Sequence, residues 1–124
     1  MRRVIIESPY AGDVERNLRY LRACMRDSLL RGEAPFASHG LYTQPGVLDD
    51  HDPEQRRVGI EAGFAWWEGA AALVFYTDLG WSKGMLGAQS LLAEMHDELE
   101  RTAEAGHPLS IEHRKLGGEW SHGA

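Results

Sequence analysis

The stretch AALVFYTDLGWSKGM at residues 71–85 constrains this chain more than any other. Leu73, Val74, Phe75 and Tyr76 follow one another without a polar interruption, as a strand covered on both faces requires. The pattern predicts a strand over 72–77, a short polar turn over 78–81 and a helix starting at Ser82. Strand, tight turn and helix N-terminus in succession are half of a βαβ unit, which α/β proteins use to hold an anionic or sugar-bearing ligand. Ser82 is placed to cap the helix, and Gly84 to let a ligand approach its first turn. A carboxylate (Asp78), a hydroxyl (Ser82) and a glycine thus converge on one edge.

The remaining segments supply partners for that strand. Val4, Ile5 and Ile6 predict a first strand, broken by the proline and glycine of SPYAGD at 8–13. Asp13 can cap a helix in which Val14, Leu18, Leu21, Met25 and Leu29 recur at helical spacing as an apolar stripe. Arg16, Arg19, Arg22 and Arg26 lie mostly off that stripe, on a solvated face. Gly32 ends this helix, and a second strand is expected at 34–37, with Pro35 near its start or on a sheet edge. Residues 40–52 have no sustained periodicity; a loop this long in a small domain suits a lid.

Asp52 and Pro53 start another helix, with Ile60, Phe64 and Trp67 on one face and Val58, Ala62, Ala65 and Trp66 beside them. Apolar residues that far around imply cover on two sides, the second being another subunit. Gly69 closes that helix. The helix from Ser82 is expected to run to about 105 and stop at Gly106. LSIEHR at 109–114 alternates as an edge strand does. Residues 1–116 read as a single domain and 117–124 as a loose tail.

Alternating strands and helices imply right-handed crossovers and a parallel sheet. The expected architecture is a three-layer Rossmann-like or flavodoxin-like sheet of four strands in the order 2-1-3-4. Ligands of such sheets sit beyond the carboxyl ends of the strands, where the chain reverses direction. Strand 1 brings Ser8, Pro9, Tyr10 and Gly12 to that rim; strand 2 brings Ser38 and His39; strand 3 brings Asp78, Ser82, Gly84 and Met85. Glycosyl chemistry needs an acid or nucleophile on one face of a sugar. Asp78 and Tyr10 are the catalytic candidates, Tyr10 positioning the sugar, and the others form the ligand-binding set.

Several function classes fall away. The net charge of −6 argues against a nucleic-acid polymer as partner. No apolar run spans a bilayer, and the first strand is too short for a signal peptide, so a cytoplasmic protein is expected. Cys24 is the sole cysteine, which excludes an internal disulfide and a cysteine-rich zinc site. Neither a phosphate-binding loop nor a dinucleotide fingerprint is present, and no cofactor is expected. Asp49, Asp50, His51 and Asp52 read as a solvated turn and helix cap rather than a metal site with His39. A triad of Ser8 or Ser82 with His39 and Asp78 lacks the Gly-x-Ser-x-Gly elbow.

VIIESPYAG, GAAALVFYTDLGWSKGM and AGHPLSIEHRKL resemble the nucleoside 2-deoxyribosyltransferase-like superfamily, which includes 2'-deoxynucleoside 5'-phosphate N-hydrolases, and look closest to a phage-associated branch of it. The resemblance implies a Rossmann-like fold, a homodimer or larger assembly through helix 53–69, and a nucleoside or nucleotide pocket at the rim. Active members carry a nucleophilic glutamate early in the helix after the Ser/Thr-Gly segment. This chain has Leu86, Gly87, Ala88 and Gln89 there, with Glu94 the nearest acid downstream. Where the family tends to place an aspartate on the preceding helix, this chain has Phe64 and Trp67, with Glu61 a turn earlier. Two expectations result: a divergent N-glycoside hydrolase of (deoxy)nucleoside monophosphates using Asp78, or a catalytically inactive binder that senses or sequesters a nucleotide or nucleotide-derived signal. A structural or interaction protein is the third.

Overall fold

Residues Ala72–Tyr76 (β3) have no solvent exposure at any of their five positions, and the other elements are arranged to cover them. The computed structural model describes residues 1–102, 109–118 and 120. Arg2–Glu7 (β1), Glu33–Phe36 (β2), β3 and Ser110–Arg114 (β4) form one parallel sheet in the order β2-β1-β3-β4. Val14–Leu30 (α1), Ser38–Leu41 (α2), Pro53–Ala65 (α3) and Lys83–Thr102 (α4) complete the fold. The parallel Rossmann-like sheet and its order are those the alternation of segments implied.

Each face of the sheet has its own core. Val4, Ile6, Ala72, Val74 and Tyr76 pack against Tyr20, Leu21 and Cys24 of α1. On the other face, Ile5, Leu73 and Phe75 pack against Met85, Ala88 and Leu92 of α4 and against Trp67. This period-two division matters for the site, because it decides which strand-end side chains look toward which helices.

The buried line of α1 is Asn17, Tyr20, Leu21, Cys24 and Ser28 rather than the apolar stripe expected through Val14 and Leu29; Leu29 is 53% exposed. Two polar residues enter the buried line because they have partners. Asn17 Nδ2 donates to the carbonyls of Tyr10 and Ala11 at 2.9 and 3.1 Å, and Ser28 Oγ donates to Glu33 Oε1 at 2.9 Å. Leu18, Leu21 and Met25 of the expected stripe do meet the core, so counting apolar residues finds the face but misplaces its centre.

On α3, Asp52 accepts from the backbone amides of Glu54 and Gln55, with Pro53 in the first turn. The expected face of Ile60, Phe64 and Trp67 is only partly inward. Trp67 is buried, while Val58, Ile60, Phe64 and Trp66 stay exposed. Instead α3 buries Gly63, where a Cβ would stand 2.6 Å from Ser38 Oγ, so α2 and α3 meet closely at a glycine.

A buried ionic tie joins the two outer strands. The Arg114 guanidinium donates to both carboxylate oxygens of Glu33 at 2.7 Å, and to the Tyr76 hydroxyl at 3.1 Å. Arg2 also donates to Glu33, at 2.9 Å, and the Tyr76 hydroxyl donates to Asp27 at 2.7 Å. Paired chiefly with Arg114, the Glu33 carboxyl is held at about 2, well below the usual range. Two described parts of the expected loose tail are anchored: the Gly117 amide donates to Asp78, and the Trp120 ring lies 4.9 Å from that of Tyr20. The expected stop at Gly106, residue 119 and residues 121–124 lie outside the described residues. Among the described residues no helix is long and apolar enough to cross a membrane.

Removing one member of a buried ion pair leaves an uncompensated charge. Arg114→Ala is expected to cost about 3–5 kcal/mol, read as a fall in the urea midpoint at unchanged slope. Replacing both Glu33 and Arg114 by methionine should cost less than Arg114→Ala alone.

Candidate functional site

Beyond the carboxyl ends of β1 and β2, on the α4 face of the sheet, lies a cavity of about 700 Å³. Its size is that of a small-molecule site. Glu7, the last residue of β1, lines its floor; it shares the phase of Ile5 and so turns toward α4. Ser8 follows on the same floor, and α2 adds Ser38 and His39. The first turn of α4 contributes Ser82, Gly84 and Met85, with Ser82 Oγ capping the helix by accepting from the Met85 amide at 3.2 Å. Ile60, Phe64 and Trp67 form an apolar wall, and Asp50, Arg56 and Lys83 supply its charges.

Local bonds hold these groups in place. Ser8 Oγ and His39 Nε2 share a 2.7 Å hydrogen bond whose direction follows the imidazole tautomer. Thr43 Oγ1 donates to the His39 carbonyl at 2.6 Å, fixing the end of α2. Tyr42 is held by Trp66, whose Nε1 donates to its hydroxyl at 2.8 Å. Desolvation disfavours the charged form of both floor groups. Burial pushes the Glu7 carboxyl up to about 8 and the His39 imidazole down to about 4. At neutral pH the floor therefore carries no charge.

Of the residues the sequence singled out, Ser8, Tyr10, Ser38, His39, Ser82, Gly84 and Met85 meet in this cavity. Pro9, Gly12 and Asp78 do not line it. Pro9 is buried beneath the turn, and Gly12 is exposed in a tight turn at φ +97°. Asp78, expected to be catalytic, serves the other face. Its carboxylate accepts from the Tyr20 hydroxyl at 2.6 Å, from the Leu116 amide at 2.9 Å and from the Gly117 amide at 3.0 Å, while its own amide donates to Tyr20. Those donors hold Asp78 below the usual carboxylate range against the cost of its burial. This is a structural tie between α1, the turn after β3 and the segment after β4, away from the cavity.

The triad considered for Ser8, His39 and Asp78 fails for the same reason: among the described residues no carboxylate bonds to His39. The acidic loop is likewise committed to local structure, Asp49 accepting from the His51 amide and Asp52 capping α3. Among the described residues no three His, Cys, Asp or Glu side chains gather as a metal set. The 40–52 segment does supply cavity wall, through Tyr42, Thr43, Leu48 and Asp50. Sequence reasoning missed Glu7, Arg56 and Lys83. The signal for Glu7 was an acid closing the apolar run VIIE, at the end of the strand where ligands bind.

A family model described as Domain of unknown function (DUF7768) matches residues 2–110, and the chain belongs to that family. No curated protein and no solved structure matches the chain.

The two floor groups tilt stability with pH in opposite senses. Glu7 is raised above its usual 4.5, so the folded state holds a proton the unfolded chain releases, and stability is lost as pH rises from about 4.5 through 8. His39 is lowered from 6.5, so stability is lost as pH falls from about 6.5 through 4. Only the Glu7 effect operates above 6.5. Glu7→Gln is expected to gain on the wild type by about 2 kcal/mol between pH 6.5 and 8, measured by denaturant unfolding at each pH.

Proposed function

We propose that this DUF7768 domain binds a nucleoside or nucleotide in the cavity beside the β1–β3 switch point. The observation that carries the reading is the division of the cavity wall. Ile60, Phe64, Trp67 and Met85 offer an apolar surface for a base, and Ser8, Tyr10, Ser38 and Ser82 offer hydroxyls to a sugar. Arg56 and Lys83, the latter in the first turn of α4, supply positive charge for a phosphate at a helix N-terminus. The resemblance of the strand-turn segments to deoxyribosyltransferase-like proteins supports the same ligand class. Val58 on α3 and Trp66 at its C-terminal cap, both exposed, support a homo-oligomer through that helix, which light scattering reads.

N-glycoside hydrolysis is the second reading, and Glu7 rather than Asp78 favours it. An acid that stays protonated near neutral pH and faces the ligand can assist a departing base. Leu86, Gly87, Ala88 and Gln89, standing where active relatives of the resembled group carry their nucleophile, favour binding without turnover.

Thermal and chemical unfolding with a panel of deoxynucleosides and their monophosphates tests binding. At 100 times the dissociation constant a bound ligand should stabilise the fold by about 2.7 kcal/mol. Gly84→Leu is expected to abolish that gain and leave the fold intact, since a Cβ there meets nothing closer than Ser82 Oγ at 3.9 Å. Asp78→Ala should lower stability by about 1–3 kcal/mol and leave ligand affinity unchanged. Chromatography of the same mixtures decides the second reading: free base that disappears with Glu7→Gln marks a hydrolase, and stabilisation without free base marks a binder. No stabilisation by any member of the panel would overturn the proposal.

A further inference from the structure

We propose that the cavity floor reads the edge of an amino-substituted heterocycle, the Glu7 carboxyl donating to a ring nitrogen and accepting from the adjacent exocyclic amino group. The inference rests on the nucleoside reading above and adds the part of the ligand that is recognised.

The geometry begins with what Glu7 lacks. Glu33, Asp52 and Asp78 each have two or more donors, whereas Glu7 has no hydrogen bond or ion pair among the described residues. Its carboxyl oxygens open into the cavity rather than into the core, since among the described residues no fully buried side-chain polar atom lacks a partner. Glu7 lines a cavity large enough to bring a partner in, and it closes β1, one of the two central strands, its Cα paired with that of Phe75 on the other. Ile60, Phe64 and Trp67 line the same cavity, and a flat ring packed face-on against those apolar groups keeps its edge free for a polar partner such as Glu7.

The protonation state then selects the edge. The other titratable groups lining the cavity are Tyr10, His39, Tyr42, Asp50, Arg56 and Lys83, from the turn after β1, α2, the following loop, α3 and α4. None of them is bonded to Glu7, so no cation holds it ionised. Burial keeps its carboxyl protonated up to about 8. A neutral carboxylic acid places an O–H donor beside a C=O acceptor. Its best complement is a basic ring nitrogen beside an amino group, the amidine edge found in adenine and cytosine. The N1–H/O6 edge of guanine and the N3–H/O4 edge of uracil also set a donor beside an acceptor, but a carbonyl oxygen is a weaker acceptor for an acidic proton than a basic ring nitrogen. The two-donor N1–H/N2–H edge of guanine would need the ionised form.

Isothermal titration calorimetry of the full chain with adenosine, cytidine, guanosine and uridine at pH 6.5 and 9.5 tests this. Adenosine and cytidine themselves do not titrate across that range. At least one of the two is expected to bind more tightly than guanosine and uridine at pH 6.5, and to weaken ten- to thirtyfold at pH 9.5. Glu7→Gln, which keeps a donor beside an acceptor but cannot ionise, should hold affinity within about threefold at pH 6.5 and lose the pH dependence. Glu7→Ala should lose tenfold or more at pH 6.5, with thermal melting confirming that both variants fold. A pH effect that survives in Glu7→Gln belongs to another of the lining groups and overturns the proposal. So does preferred, pH-independent binding of guanosine or uridine, which would leave the nucleoside reading standing. Failure of all four nucleosides and their monophosphates to bind at either pH overturns both.

Discussion

A strand without a single exposed side chain cannot exist at the surface of anything, and β3 is such a strand. It needs a strand on each side and a layer on each face. β1 and β4 supply the first, and α1 with α4 supplies the second. Full burial also makes each apolar side chain on it count, at roughly 1.5–3 kcal/mol apiece. Because the sheet is parallel, every strand ends at the same rim. The turn after β1, α2 and the start of α4 are delivered there together by topology, before any specific contact is made.

The two faces spend their polar groups differently. On the α1 face the buried polar side chains have partners: Tyr20 with Asp78, Ser28 and Arg114 with Glu33, Tyr76 with Asp27, and Asn17 with the backbone carbonyls of Tyr10 and Ala11. Apart from Ser28 with Glu33, the side-chain pairs link elements far apart in sequence. Opposite, Ser8 and His39 satisfy each other, but Glu7 does not find a partner among the described residues. A face whose polar groups are all consumed specifies the fold; a face that keeps one in reserve beside a cavity can recognise something else. The same division explains why Cys24, buried on the α1 face with its thiol pushed up by desolvation, reads as packing.

Much of the architecture was legible because its signals are local. Asp13, Ser82, and Asp52 with Pro53, mark helix starts through hydrogen bonds made within three residues, and each does so in the structure. The uninterrupted run through β3 announced a central parallel strand. That same lack of interruption hid the phase of the strand. In a strand wet on one face, polar residues reveal which side chains point where; in one dry on both, they cannot. Asp78 continues the phase of Ala72, Val74 and Tyr76, which places it on the α1 side, whereas Glu7 continues that of Ile5 and faces the cavity. Choosing between two carboxylates at neighbouring strand ends required the register, Val4 opposite Ala72, which no spacing in the sequence discloses. The centre of the buried face of α1 was misplaced for a related reason: Asn17 and Ser28 are buried through hydrogen bonds to other segments, and a count of apolar residues has no access to those.

The overall charge of −6 is a poor guide to what this rim accepts. Exposed charges more than about 8–10 Å away are largely screened at physiological salt, so the cavity answers to the groups that line it. Those are two cations, Arg56 and Lys83, one loop carboxylate, Asp50, and a floor uncharged at neutral pH. An acidic protein can therefore present a locally cationic mouth above a neutral floor. Such a mouth suits a small ligand with one charged end and one uncharged, hydrogen-bonding end. The net charge and the charges of the cavity lining act on different length scales, and the two do not conflict.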